Sequence, residues 1–293
     1  MIMQTMKEIF EEIETNGGMT PSRRLRDIAN RFPEQIAFRD KRYGIWNEMS
    51  YKEFWMEVQY VGCALNYFGI QKTEKVAIHS ENRPEWLIAD IGVQAIGGIT
   101  VGLYPTNPPA EVQYLLSHSE SKILFAEDQE QVDKALEVLD EVPNLSKIIY
   151  FEEKGLFRYD SEKLMRWDEF LEIGKEEYEK NKDFVNFCID EIKSEDVALM
   201  IYTSGTTGPP KASMLSHGNM EWTASIIPDL SFTPNISNPE YLSYLPLCHV
   251  FGRLVDEIIA INSIGTINFA ESIDTVQRDL AEIQPSIFPA VPR

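Results

Sequence analysis

The chain has 293 residues, 43% hydrophobic and 25% charged, an ordinary balance for a soluble globular protein and too long for one small core. Its formal charge of −20 argues against a nucleic-acid partner, because phosphate contacts need a basic face. Cys63, Cys188 and Cys248 have no paired spacing, so neither a disulfide framework nor a zinc site is indicated. No signal-peptide h-region and no apolar run of membrane-spanning length is seen. The expectation is a cytoplasmic protein, with a peripheral membrane contact left open.

In chain order, the first thirty residues predict two amphipathic helices. Met6, Ile9, Phe10 and Ile13 share one face, and Leu25, Ile28, Ala29 and Phe32 share another, with Pro21 suited to open the second. Ile36 to Phe38 and Ile45-Trp46 predict a small hairpin around Lys41 to Gly44. Ser50-Tyr51-Lys52-Glu53 fits a capping box and opens a helix that stops at Gly69. The pattern then alternates: strand at Val76 to Ile78, helix at Pro84 to Ala95, strand at Ile99 to Leu103. Helix follows at Ala110 to His118, strand at Ile123 to Ala126, helix around Val132 to Leu139 and strand at Lys147 to Phe151. Repeated β-α-β with apolar strands predicts an α/β, doubly wound, largely parallel sheet, which binds ligands at the carboxyl ends of its strands. Tyr104-Pro105 and the segment after Tyr202 would lie there.

Glu152 to Asp196 carries fifteen acidic against eight basic residues, with Trp167, Phe170 and Leu171 as its main apolar cluster. It predicts a solvated helical insertion, a partner-binding surface being the lesser alternative. Two subdomains are expected, residues 1–196 with this insertion near 152–196, and residues 197–293.

Val197 to Ile201 is a short continuous apolar run, as in a strand buried on both faces. It delivers Tyr202-Thr203-Ser204-Gly205-Thr206-Thr207-Gly208-Pro209-Pro210-Lys211. Glycines let backbone N–H groups turn inward as an anion nest, and hydroxyls and an ammonium add donors, so the loop suits a polyphosphate. A flexible linker would not leave a buried strand and end in Pro-Pro-Lys. The common NTPase loop is excluded, because only two residues separate Gly205 from Gly208 and no Gly-Lys-Ser/Thr follows. Ala212 to Leu215 predicts a further strand, and Ser216 an N-cap.

Tyr241 to Leu245 predicts a strand running into Pro246-Leu247-Cys248-His249-Val250-Phe251-Gly252-Arg253. Leu254, Val255, Ile258 and Ile259 form a helical stripe, Ile267 and Phe269 a strand, and Ser272 to Ile283 a helix with Val276, Leu280 and Ile283 inside. Ser286 to Phe288 begins one more strand. A lone histidine such as His249 is by default a packed or surface residue, and His79, His118 and His217 show no ligand spacing. Cys248 reads as a small buried residue.

Tyr202 to Leu215, Leu245 to Phe251 and Pro289 to Arg293 occur in the order found in AMP-forming acyl-CoA synthetases, and the loop resembles the phosphate-binding signature of the acyl-adenylate-forming superfamily. Glu81-Asn82-Arg83-Pro84-Glu85-Trp86 and Val101 to Asn107 resemble its long-chain fatty acyl branch. The resemblance implies a truncated N-terminal domain of mixed, mostly parallel sheets, without the C-terminal lid domain. It implies a ligase that uses ATP, magnesium and coenzyme A to turn a fatty acid into acyl-AMP and then acyl-CoA. By position, Thr203, Ser204, Gly205, Thr206, Thr207 and Gly208 would wrap the β- and γ-phosphates with Lys211 as counter-charge. Thr206 would ligate magnesium, and His249 would lie beside the carboxylate. Ala212 and Ser213 depart from the family's usual Gly and Val. The acidic magnesium partner, adenine contacts and catalytic lysine of the family are absent from these residues, so the chain alone is expected to be inactive. Missing neighbours of Ser272 to Ile283 and Ser286 to Phe288 would leave apolar surface and a sheet edge exposed, so self-association is expected. Ligation of another acid, or a non-catalytic nucleotide-binding module, are the alternatives.

Overall fold

The computed structural model describes residues 20–203, 208–225 and 238–290. The first predicted helix, around Met6 to Ile13, and the terminal Val291-Pro292-Arg293 lie outside the described residues. Two compact units are drawn from interleaved stretches. One takes residues up to Trp55, Lys193–Glu195 and those from Ser216 on; the other takes Met56–Ile192 and Asp196–Leu215.

The second unit is built on a seven-stranded sheet. Its strands are β3 (Lys75–His79), β4 (Ile99–Leu103), β5 (Ile123–Ala126), β6 (Lys147–Tyr150), β7 (Leu164–Arg166), β8 (Val197–Thr203) and β9 (Lys211–Ser216). Their spatial order is β7-β6-β5-β3-β4-β8-β9, and the pairs from β7 through to β8 are all parallel. β3 connects to β4 on one side, then the chain crosses back to β5, β6 and β7 before returning to β8. This double winding follows from the helices between strands: parallel neighbours need a crossover, and apolar strands need cover on both faces. Ala77, Val101, Leu124 and Ile148 are fully buried, one from each of four neighbouring strands. Because the strands run parallel, His79, Leu103, Ala126 and Thr203 all end at the same edge. That edge is where an open α/β sheet holds ligands.

The acidic stretch forms the helices Trp167–Lys180 and Phe184–Asp190 and also adds β7 at the edge of the sheet. Leu164–Arg166 pairs parallel with β6, with Ile149 opposite Met165. Three residues with a single apolar pair are too short to signal a strand by periodicity. The following helix, Trp167–Lys180, buries Phe170 completely. Phe170 and Trp167 lie 5.4 and 5.7 Å from the Phe125 ring on β5. Charges therefore face water on one side of this helix while its aromatic side covers the sheet.

The first unit has a four-stranded sheet ordered β10-β11-β1-β2, from β1 (Ile36–Arg42), β2 (Ile45–Ser50), β10 (Glu240–Ser243) and β11 (Thr266–Phe269). β1 and β2 form the predicted hairpin, antiparallel, with Arg42 opposite Ile45 across Tyr43-Gly44. The capping box also forms: Ser50 N–H donates to Glu53 at 2.8 Å and Glu53 N–H to the Ser50 hydroxyl at 3.3 Å. Helix Pro21–Arg31 starts at Pro21 as expected, capped by Thr20, and buries Leu25 and Ile28.

The last helix, Val276–Ile283, departs from its pattern. Val276, Leu280 and Ile283 are only half-buried, while Asp279 is fully buried. Lys41 of β1 donates to Asp279 at 3.1 Å and to Glu282 at 2.5 Å, and Trp46 Nε1 donates to Glu282. Asp279 also accepts from the Thr275 hydroxyl at 2.6 Å. A buried carboxylate is tolerable when paired and bonded in this way, and apolar periodicity carries no sign of it.

Asp256 is the opposite case. Burial pushes its carboxyl up to about 7, and the Ser243 hydroxyl donating at 2.5 Å pulls back only part of that. The folded state thus holds a proton that the unfolded chain has released. The resulting stability is fully present below about pH 4 and is lost as pH rises through about 7, by roughly 1.4 kcal/mol per pH unit between. Asp256→Asn, which cannot ionise, is expected to gain stability over the parent as pH rises from 5 to 8. Urea midpoints whose difference stays constant over that range would remove Asp256 as the source.

Candidate phosphate-binding site

β8 carries the site. Ala198 to Tyr202 are buried, and each large side chain so placed is worth on the order of 1.5–3 kcal/mol, while Thr203 at the carboxyl end is exposed. The strand is therefore a fixed post whose carboxyl end reaches solvent at Thr203. Ser204, Gly205, Thr206 and Thr207 lie outside the described residues. On the far side, Gly208 has φ of +92° with open space where a Cβ would stand, so its backbone alone demands glycine. Pro209 and Pro210 follow without amide donors, and Lys211 opens β9, its side chain exposed.

Two residues of helix Pro109–Ser119 meet this segment. The Tyr114 hydroxyl donates to the Pro210 carbonyl at 3.0 Å, and His118 Nδ1 lies 2.7 Å from the Tyr202 hydroxyl. Burial pushes the Tyr202 phenol up to about 12, so it remains protonated. A cavity of about 440 Å³ opens here, lined by Tyr114, His118, Met200, Lys211 and Met214 among others.

At the same sheet edge, the loop after β4 is held from below. His79 Nε2 lies 3.1 Å from the Tyr104 carbonyl and donates to it, and Lys134 donates to the Pro105 carbonyl at 2.7 Å. Burial holds the His79 imidazole down at about 4, so it works as a neutral donor. The segment Glu81 to Trp86 is structural: Arg83 grips Glu85 and Glu152 over the Phe151 ring, and Trp86 is fully buried. His79 and His118 carried no sequence signal, because a single histidine shows its partners only once the strands are paired.

His249 belongs to the first unit. It caps helix Val250–Arg253, its Nδ1 accepting from Phe251 N–H at 3.2 Å. The residue is exposed, so it is a surface rather than a packed histidine. With Nδ1 accepting, Nε2 is the ring nitrogen left to donate. Cys248 beside it is buried, as expected. The turn is fixed from two sides. Arg253 Nε donates to the Leu247 carbonyl at 3.1 Å, and a Cβ on Gly252 would stand 2.3 Å from the Pro246 carbonyl oxygen. That same oxygen accepts the His249 N–H. Gly252→Ala must therefore move backbone, and is expected to cost about 1–3 kcal/mol as overpacking. An unchanged urea midpoint would show that the turn can relax without loss.

Ser216 caps helix His217–Ser225 as expected, exchanging hydrogen bonds with Asn219 at 3.0 and 3.3 Å. Among the described residues no group of three or more His, Cys, Asp or Glu is placed to hold a metal ion. No helix among them is long and apolar enough to cross a membrane.

Residues 25–293 match the family described as AMP-binding enzyme. The chain belongs to that family. Among its relatives, the long-chain-fatty-acid–CoA ligase ACSBG2 of Xenopus laevis is 31% identical over 275 residues, covering 92% of this chain and 36% of its own length. A putative long-chain-fatty-acid CoA ligase from Rhodopseudomonas palustris superposes with a TM-score of 0.72 at 20% identity, covering 90% of this chain and 61% of its own. Coronafacic acid ligase from Pectobacterium brasiliense gives 0.75 at 18%, covering 92% and 49%. These solved structures share the α/β fold of this chain. The chain spans well under half the length of the curated relatives it matches.

Proposed function

We propose that this AMP-binding enzyme is the phosphate-loop part of an AMP-forming ligase that activates a long-chain fatty acid with ATP and passes it to coenzyme A. The observation that carries the reading is the segment leaving β8: a buried strand, an exposed Thr203, a left-handed Gly208, two prolines and an exposed Lys211 at the sheet edge suited to ligands. Thr203, Ser204, Gly205, Thr206, Thr207 and Gly208 wrap the β- and γ-phosphates, and Lys211 supplies counter-charge. The donor set of hydroxyl and phosphate oxygens suits a hard cation, so Thr206 is the magnesium ligand proposed here, and the ion would neutralise phosphate charge. His249 lends its Nε2 donor to charge developing as the carboxylate attacks the α-phosphorus. Attack on phosphorus is mainly positioning and charge stabilisation, which these groups can supply.

The acid is assigned from relatives at about 30% identity described as long-chain-fatty-acid ligases. Residues 1–293 alone are expected to bind triphosphate weakly and to form no thioester, since the reaction needs groups acting as a unit. The test is ATP–pyrophosphate exchange by the full-length protein over a panel of acids. Exchange that rises with chain length into the long-chain range supports the assignment. Exchange driven by an aryl or short-chain acid, or none with any acid, overturns it.

A further inference from the structure

Resting on the reading of the β8 loop as a triphosphate cradle, we propose that Tyr114 and His118 are positioning residues for it. Tyr114 acts through the carbonyl of Pro210 and His118 through the hydroxyl of Tyr202. Both sit on helix Pro109–Ser119, four positions apart and so on one face. Their two contacts bracket the loop: Tyr202 precedes Thr203, and Pro210 precedes Lys211. One helix therefore sets both flanks.

The need for such a device follows from the prolines. Pro209 and Pro210 cannot donate a backbone hydrogen bond, so before Lys211 the exit of the loop can be held only through their carbonyls. The Pro210 carbonyl shares a planar peptide with the Lys211 nitrogen. Tyr114, by bonding that oxygen, fixes the plane from which Lys211 departs and hence where its ammonium can reach. At the entrance, Tyr202 is 8% exposed, and its ring lies edge-on to His118 with centroids 5.6 Å apart. Tyr114 and His118 also contact each other, ring centroids 5.4 Å apart. The three rings form a chain from β8 to the Pro210 carbonyl. Flanks held in place before the phosphate arrives lose less freedom on binding than flanks that the ligand must order.

The test uses the full-length protein and titration calorimetry with magnesium–ATP, beside thermal melts. Tyr114→Phe removes one hydroxyl, and His118→Leu removes the ring nitrogens. Each is expected to weaken magnesium–ATP about three- to tenfold, the usual worth of one hydrogen bond, with the melting temperature nearly unchanged. His118→Asn, which puts a polar atom near the place of Nδ1, is expected to recover most of the loss seen with leucine. In pyrophosphate exchange the KM for ATP should rise while that for the acid holds. Wild-type affinity in both variants, with Lys211→Ala binding weakly, overturns the proposal and leaves the loop reading standing. Wild-type affinity in all three overturns the loop reading itself. A Tyr114→Phe variant that melts early yet binds normally reduces the contact to packing, which also overturns the proposal.

Discussion

Lys211→Ala in the full-length protein is expected to weaken ATP binding or slow adenylation by roughly 10- to 150-fold. The figure follows from losing one charge-assisted contact to phosphate, on the order of 1.5–3 kcal/mol. The side chain is exposed at the start of an edge strand, so the fold should not notice its loss. A melting curve that matches the parent, together with a raised KM for ATP, is the expected pair of results. Unchanged ATP affinity and unchanged rate would remove the phosphate assignment from the whole segment, since Lys211 is its one cation.

His249→Ala is expected to lower acyl-adenylate formation by roughly a hundred- to a thousand-fold, the usual loss when one donor to developing charge is removed. The alanine variant also loses the cap on Phe251 N–H, which should cost about 1 kcal/mol. His249→Asn separates the two effects. Asparagine caps a helix well, so stability should return, yet it lacks a ring Nε2 at the same reach, so the rate should not. Recovery of both would assign His249 to capping alone. Loss of both would mean that the turn from Pro246 to Gly252 depends on the imidazole itself.

The alternating α/β order was readable because its strands are apolar throughout and its helices start at proline or at capped turns. Pro84–Ala95 and Ile99–Leu103 fall where periodicity puts them. What could not be read was pairing at a distance. Asp279 looks like a surface acid until Lys41 is beside it, and Leu164–Arg166 looks like loop until β6 offers a ladder. For the candidate site, residue types and spacing pointed to Thr203, Gly208 and Lys211 as candidates, while His249 was named only through the family resemblance. Tyr114 and His118 escaped because their partners are a carbonyl and a hydroxyl, which leave no pattern along the chain.

The pairing of β1 with β11 has a consequence for biosynthesis. Arg39 and Asn268 meet although 229 positions separate them, whereas the seven-stranded sheet is complete by Ser216. A chain emerging from the ribosome can close the larger sheet first, while the β1–β2 hairpin waits with one edge unsatisfied. Such an edge is open to pairing with another chain, and long-range closure is slow. Production at lower temperature, or with chaperones that shield nascent edges, should therefore raise the yield of correctly folded protein more than any stabilising change in the larger sheet.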